Sequence, residues 1–209
     1  PDMKPEKAQI RNSNGYQLMA QIERAGSEGR YYGIARDEED AITRLMKKAL
    51  KENDVVLISG GVSFGDFDLV QKVMRSLGMR VHFDQVAMQP GKPLTFCTAE
   101  RKAVFGLPGN PVSTFVQFEI MVRPFLDRMA GVKAEEINMT LPLAADYSRK
   151  RAERMAWIPF ILTPEGEAMP VEYHGSAHIN ALPGAWGLIT IPRGQSWIQK
   201  GEMVNVRQI

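Results

Sequence analysis

The sequence predicts an α/β domain with a mostly parallel sheet, followed by a small all-β domain. From about residue 10 to 131, amphipathic helical segments alternate with short apolar runs, as in sheets that helices cover on both faces. From residue 137 to 209, short strand-like runs are separated by proline and glycine turns, without a convincing helical pattern. The charged segment near residue 133 marks the boundary, which gives domains of residues 1–133 and 134–209.

The helices of the first half are predicted from apolar residues that recur every three or four positions. One helix is expected after the capping residues 12–14, and a second over residues 38–52. A third covers residues 69–77, and a fourth begins near Pro111. Pro124 lacks a backbone donor, so the fourth helix is expected to kink or break there.

Strands are predicted where apolar or β-branched residues run together between turn residues. In the first half such runs lie at residues 31–35, 54–58, 80–88, 94–98 and 102–107. The last two are expected to form a hairpin. In the second half they lie at residues 137–143, 154–162, 168–171, 188–191 and 203–206. Short strands of this spacing favour a small barrel or sandwich.

Composition excludes several classes of protein. With 44% hydrophobic residues, 24% charged residues and a formal net charge of +2, the chain is typical of a soluble globular protein that binds no nucleic acid. No apolar run reaches the roughly 18 residues of a spanning helix, so no membrane contact is expected. The single cysteine, Cys97, excludes an internal disulfide and a cysteine-based zinc site, and it fits a reducing cytoplasm. Oxygen ligands for magnesium are still available.

The most informative stretch is the loop that follows the strand at residues 54–58. Glycines in such a loop let the main chain approach a ligand, and its N–H groups suit a phosphate. The loop residues that could line a ligand are Ser59, Gly60, Gly61, Ser63 and Gly65. Asp66 and Asp68 repel phosphate, which indicates a bound cation or a ligand with donors, such as a pterin edge or ribose hydroxyls. A tight connection with solvated acids is the alternative.

A second loop with the same character precedes the fourth predicted helix. It reads Pro108-Gly109-Asn110-Pro111 and is followed by Ser113. Asparagine followed by proline favours a helix start. Ligands of α/β sheets bind outside the carboxyl ends of strands, where both loops and the segment around Asp37 are expected to lie. The turn at residues 89–93, which contains Lys92, is expected to join them.

Three motifs together, SGGVSFGDFD (59–68), PGKP (90–93) and LPGNPVS (107–113), resemble the molybdopterin molybdotransferase family, which includes gephyrin. Their order and spacing are those of the family, and the resemblance covers essentially the whole chain. It implies the carboxyl-terminal half of a longer enzyme: a three-layer α/β/α domain with the molybdopterin-binding fold, then a β-barrel. The strand that the family places just before this segment is expected to be missing, and the 209 residues alone are expected to be catalytically deficient.

The resemblance implies an enzyme of molybdenum cofactor biosynthesis, which inserts molybdate into adenylylated molybdopterin and releases AMP. It also implies Mg²⁺, a homodimer and a partnership with the molybdopterin adenylyltransferase. It assigns Asp37 and Asp68 to catalysis and to magnesium. It assigns binding of the ligand or its phosphates to Ser59, Gly60, Gly61, Ser63, Gly65, Lys92, Pro108, Gly109, Asn110, Ser113 and Arg154.

Two positions depart from the family's pattern. Gln85 and Gln89 stand where the family has basic residues, which lowers the positive charge near the expected phosphates. Two other functions are open. An enzyme like the molybdopterin adenylyltransferase would share the α/β domain and its loops, but not the β-domain. A non-catalytic module would bind a pterin or a peptide without releasing AMP.

Overall fold

The structure is a computed structural model and describes residues 10–61, 69–132, 139–171 and 179–209. The helices of its first half are α1 (Ser13–Arg24), α2 (Glu39–Glu52), α3 (Leu69–Ser76), α4 (Pro111–Gln117) and α5 (Arg123–Met129). The strands of this half are β1 (Val55–Ser59), β2 (Arg80–Gln85), β3 (Met88–Gln89), β4 (Pro93–Ala99) and β5 (Lys102–Leu107). The four predicted helices and the predicted β4–β5 hairpin are confirmed.

The first sheet has the strand order β1-β5-β4-β2. β1 pairs in parallel with β5, whereas the β5–β4 and β4–β2 pairs are antiparallel. The prediction of a mostly parallel sheet is therefore wrong for the described strands. For the β5–β4 pair the cause is the turn of Glu100 and Arg101, where Glu100 has a φ of 50°. So short a connection between neighbouring strands allows only antiparallel pairing.

Helices cover both faces of this sheet, as predicted. One face buries Val56, Cys97 and Val104 against α2 and α3. The opposite face buries Phe105 and Leu107 against α1 and the helix that follows β5. Because successive side chains of a strand point to opposite faces, neighbours such as Val104 and Phe105 serve different layers. The result is the expected three-layer α/β/α arrangement.

The strand predicted at residues 31–35 is wrong, because residues 27–36 form no regular element. Side-chain contacts hold this segment instead of a backbone ladder. Tyr32 packs against the α2–α3 face of the sheet, and its hydroxyl donates to Glu52 Oε2 at 2.8 Å. Asn53 Nδ2 in turn donates to the same hydroxyl at 2.7 Å. The apolar composition of the segment thus indicated burial rather than strand pairing.

A π-helical turn over Phe118–Val122 joins α4 to α5, directly before Pro124. Here the Arg123 N–H donates to the Phe118 carbonyl, five residues earlier. Such a wide turn is a usual form of helix irregularity. The break predicted from Pro124 is found in this form.

Glu119 lies in this turn and is a buried carboxylate, 1% exposed. Its Oε1 accepts hydrogen bonds from Arg24 and from Gln21 Nε2, the latter at 2.7 Å. Its Oε2 accepts from Arg123 Nη1 at 3.2 Å. Burial of a carboxylate is tolerated when it is paired in this way. The network fixes α1 against the helix that begins at Pro111.

The second half is built of strands, as predicted: β6 (Met139–Pro142), β7 (Tyr147–Ser148), β8 (Met155–Leu162), β9 (Ala168–Pro170), β10 (Gly187–Ile191), β11 (Trp197–Ile198) and β12 (Met203–Gln208). The neighbours β8-β10-β12-β6 are antiparallel, and β9 lies on the other edge of β8. Leu143, which follows β6, bridges to Ala168 of β9, so the two ends of the sheet meet. Inside lies an apolar core that includes Ile158 and Phe160.

Strand β3 connects the two halves. Met88 and Gln89 pair in parallel with Met155 and Ala156 of β8, so β3 extends the sheet of the second half. β4, which begins at Pro93, already belongs to the first sheet. The turn at residues 89–93 therefore links the two sheets. In the part of the chain that the structure describes, no helix is long and apolar enough to span a membrane.

Cys97 should be nearly unreactive in the folded protein. It is fully buried in β4, and burial raises the pKa of its thiol to about 11. Because the thiolate is the reactive form, we expect modification by Ellman's reagent at pH 8 to be at least about 100-fold slower than in urea. Absorbance at the thiolate product band measures both rates. Equal rates in folded and unfolded protein would contradict the burial of this side chain.

Candidate functional site

The site is built at the carboxyl ends of β1 and β5, which lie side by side. Because these strands are parallel, the loops that follow them leave the sheet at the same edge. Ser59 pairs with Leu107 at the last position of the register. The Gly60 N–H then donates to the Leu107 carbonyl at 3.0 Å. The described residues of the two glycine loops are thus brought together, as predicted.

Glycine is required in the first loop by its backbone angles. Gly60 and Gly61 have φ values of 85° and 66°, in the region that side chains disfavour. A Cβ on Gly61 would also lie 2.9 Å from Val70 Cγ2 in α3. On Gly109, in the second loop, a Cβ would lie 3.8 Å from the Gly60 Cα. The two main chains therefore approach each other with little between them.

Asn14 joins the two loops. Its Nδ2 donates to Ser59 Oγ at 2.6 Å and to the Gly109 carbonyl at 2.8 Å. Ser59 Oγ donates in turn to the Pro108 carbonyl at 3.1 Å. Asn14 Oδ1 is buried and has no partner among the described residues. Since an unpaired buried acceptor is costly, this oxygen is available to a donor of a ligand or of water.

Sequence reasoning missed this role of Asn14, because it assigned residues 12–14 to helix capping. Capping is confirmed for Asn12, whose Oδ1 accepts from the Gly15 N–H at 3.0 Å. The sequence did carry one signal, because residues 12–14 lie at positions where the resembled family has related residues. A contact between Asn14 and Gly109, 95 positions apart, has no local signature.

Thr114 helps to fix the second loop. Asn110 occupies the N-cap position of α4, as predicted, but its side chain makes no capping hydrogen bond to the helix. Thr114 Oγ1 instead donates to the carbonyls of Pro108 and Asn110, at 2.5 Å and 3.1 Å. These bonds hold the loop against the first turn of α4. Ser113, in the same turn, is 2% exposed.

The turn at residues 89–93 carries the exposed Lys92. The Lys92 carbonyl accepts from the Val86 N–H at 2.9 Å, which fixes the base of the turn. Arg154, half-buried at the start of β8, donates from Nη1 to the Met88 carbonyl at 3.2 Å. The structure therefore places Arg154 against β3, directly before the turn that carries Lys92. Gln85 is exposed at the end of β2, and the buried Gln89 Oε1 has no partner among the described residues.

Of the acidic residues singled out in the sequence, only Asp37 lies in the described part of the chain. Asp37 is exposed in the segment before α2, and Asp68 lies outside the described residues, as do Ser63, Gly65 and Asp66. Among the described residues, no group of three or more histidine, cysteine, aspartate or glutamate side chains could hold a metal. A magnesium site would need oxygen donors from Asp68 and from the ligand besides Asp37.

Fold and site together define a class: a three-layer α/β domain with two glycine loops at one sheet edge, joined by a strand to a β-domain. Residues 6–128 match the family described as a probable molybdopterin binding domain. Residues 140–209 match the MoeA C-terminal region (domain IV). The chain belongs to this molybdopterin-binding family, with the MoeA type of C-terminal region, as its motifs predicted.

Relatives support the same placement. The chain is 32% identical over 206 residues to the molybdopterin molybdenumtransferase of Staphylococcus epidermidis, covering 96% of this chain and 49% of that protein. It is 33% identical over 207 residues to a putative molybdopterin biosynthesis protein of Methanocaldococcus jannaschii, covering 98% and 49%. The chain thus spans about half the length of the curated relatives it matches.

Solved structures show the same fold. The molybdopterin biosynthesis moea protein from Pyrococcus horikosii has a TM-score of 0.85 and 31% identity, covering 100% of this chain and 50% of that one. A molybdenum cofactor biosynthesis protein from Pyrococcus furiosus has a TM-score of 0.76 and 26% identity, covering 94% and 64%. The predicted combination of an α/β domain and a β-domain is confirmed.

Proposed function

We propose that this chain carries the site at which molybdate is inserted into adenylylated molybdopterin and AMP is released. The observation that supports this most strongly is the junction of the two glycine loops through Asn14. It brings the main chains of both loops to one place at the sheet edge, with the buried, unpartnered Asn14 Oδ1 beside them. In a chain of the molybdopterin-binding family, a pterin phosphate is the ligand that suits this place.

The described residues would bind and orient the ligand rather than react with it. Lys92 offers a point charge and Arg154 a planar fork to the anionic groups, molybdate included. Gly60, Gly61 and Gly109 let the main chain come close to the phosphates. Mg²⁺, held by Asp37, Asp68 and ligand oxygens, would neutralise charge on the phosphates when bound.

The compartment, the oligomeric state, the domain boundary and the partner are also part of the proposal. The protein acts in the cytoplasm as a homodimer, with division into residues 1–133 and 134–209. This boundary falls on residues 133–138, outside the described part. The adenylylated substrate comes from a molybdopterin adenylyltransferase, which is the expected partner.

Gly61→Val should abolish binding of adenylylated molybdopterin. Valine is strained at a φ of 66°, and its Cβ would lie 2.9 Å from Val70 Cγ2, so the loop must shift. We expect affinity to fall by at least about 100-fold in a calorimetric titration. Gly26→Val is the control, because Gly26 has a φ of 71° with no atom within 4 Å of its Cβ position and follows the C-terminal end of α1, the end opposite Asn14. Unchanged affinity for Gly61→Val would remove the loop from the site.

Molybdate-dependent AMP release distinguishes the proposed enzyme from the alternatives. Adenylylated molybdopterin is incubated with the protein that contains this chain, with and without molybdate, and AMP is measured. Release that depends on molybdate supports the proposal. Binding of the ligand with no release would identify a binding module, and adenylylation of molybdopterin would identify the adenylyltransferase reaction.

A further inference from the structure

We propose that Gln117 is a positioning residue that holds the turn of Lys92 against the start of α4. The Lys92 turn is defined as residues 89–93. The importance of this turn for the ligand rests on the proposed function. The geometry of the contact stands on the described residues alone.

The Gln117 side chain makes hydrogen bonds to the turn on both sides of Lys92. Gln117 Nε2 donates to the Gly91 carbonyl at 3.0 Å and to the Pro93 carbonyl at 2.8 Å. These carbonyls flank the peptide unit of Lys92. Since the third carbonyl, that of Lys92, accepts from the Val86 N–H, the main chain is fixed at three successive residues. The side chain of Lys92 therefore starts from a rigid position.

The contact is tight, and it is close to the second glycine loop. A Cβ on Gly91 would lie 2.7 Å from Gln117 Nε2 and 3.2 Å from Ser113 Cβ. Gln117 and Ser113 lie four positions apart and hence on one face of the helix. Gly91 packs against that face, so the Lys92 turn contacts the helical segment that begins at Pro111.

The burial of this glutamine shows that its donors matter more than its packing. Gln117 is 0% exposed, and its Oε1 has no partner among the described residues. An unpaired buried carbonyl costs free energy, which methionine of similar length would avoid. The residue is therefore explained by what its two N–H bonds hold in place.

The contact between Gln117 and the Lys92 turn matters because this turn lies between the two halves of the chain. At one end, β3 pairs with β8 of the second half, and Arg154 binds the Met88 carbonyl. At the other end, Pro93 begins β4 in the first sheet. Gln117 thus sets the position of Lys92 relative both to Arg154 and to the glycine loops.

Hydrogen exchange tests the geometry without any ligand. In Gln117→Met, we expect the Val86 N–H to exchange at least about tenfold faster, because the Lys92 turn loosens. Gly91→Ala should do the same with the glutamine present, because its methyl group would lie 2.7 Å from Nε2 and alanine is strained at the Gly91 φ of 88°. Gln21→Met is the matched control, since this amide is 3% exposed and also donates twice, to Phe115 and Glu119. Unchanged Val86 exchange in the first two variants would overturn the proposal.

Titration with adenylylated molybdopterin tests the positioning of Lys92. Gln117→Met should weaken binding about fivefold to tenfold, and Gln21→Met should not. In a Lys92→Met background, the added Gln117→Met change should cost less than about twofold. A loss of the same size in both backgrounds would show that Gln117 acts through general stability and would overturn the proposal. Failure of the wild type to bind would refute the proposed function instead, and exchange at Val86 would still decide the role of Gln117.

Discussion

Asp68→Asn is expected to lower molybdate-dependent AMP release by roughly 100-fold, the scale of losses at acid–base and metal sites. The substitution keeps the size of the side chain and removes the charge that would hold magnesium. Asp68 lies between Gly61, at the junction of the two loops, and Leu69, the first residue of α3. Removal of one loop carboxylate should leave the thermal midpoint of the protein nearly unchanged.

The control for this experiment is Asp127→Asn in α5, which removes the same charge from the helix end remote from the glycine loops. Its AMP release should match that of the wild type. If Asp68→Asn turns over at a comparable rate, Asp68 has no part in catalysis. A midpoint lowered by several degrees would show instead that the acid acts on folding.

Gly187→Ala is expected to give the largest loss of stability, about 3 kcal/mol. Its Cβ would lie 2.5 Å from the Arg207 carbonyl oxygen and 2.8 Å from Phe160 Cε1. Gly187 is the first residue of β10 and is paired on both sides, with Gln208 and with Phe160. The backbone oxygen cannot move without opening the β10–β12 ladder, and Phe160 is fully buried.

Urea unfolding followed by circular dichroism measures this change. Gly194→Ala serves as the control, because Gly194 has a φ of 85° with no atom within 4 Å of its Cβ position. There only backbone strain is added, at about 1 kcal/mol. Equal losses in the two variants would show that the close approach at Gly187 does not determine the stability of the protein.

Elements with a strong local signal were predicted well from the sequence. Residues 102–107 form β5 as predicted, since a buried apolar run bounded by turns defines its own ends. The segment 31–35 has a similar composition but forms no strand, because composition does not specify a backbone partner. The same limit explains the sheet: most of its strands were predictable, but the antiparallel direction of β4 and β5 depended on a two-residue turn.

The residues of the candidate site also differ in whether the local sequence could predict their roles. The places of Gly60, Gly61 and Gly109 in the candidate site were predictable, because glycine directly after a strand indicates that the main chain comes close to a ligand or to another segment. Asn14 and Gln117 were not, since their roles arise from contacts with residues 95 and 26 positions away. An amide looks the same in the sequence whether it faces solvent or holds a loop.

Strand β3 also limits how the two halves can move. The chain passes between them once after Val132, and β3 fastens them a second time through Met88 and Gln89. Val112 and Val116 of α4 also share a buried apolar cluster with Leu182 and Leu188 of the second half, so any rotation of the halves about β3 would expose apolar surface that is now buried.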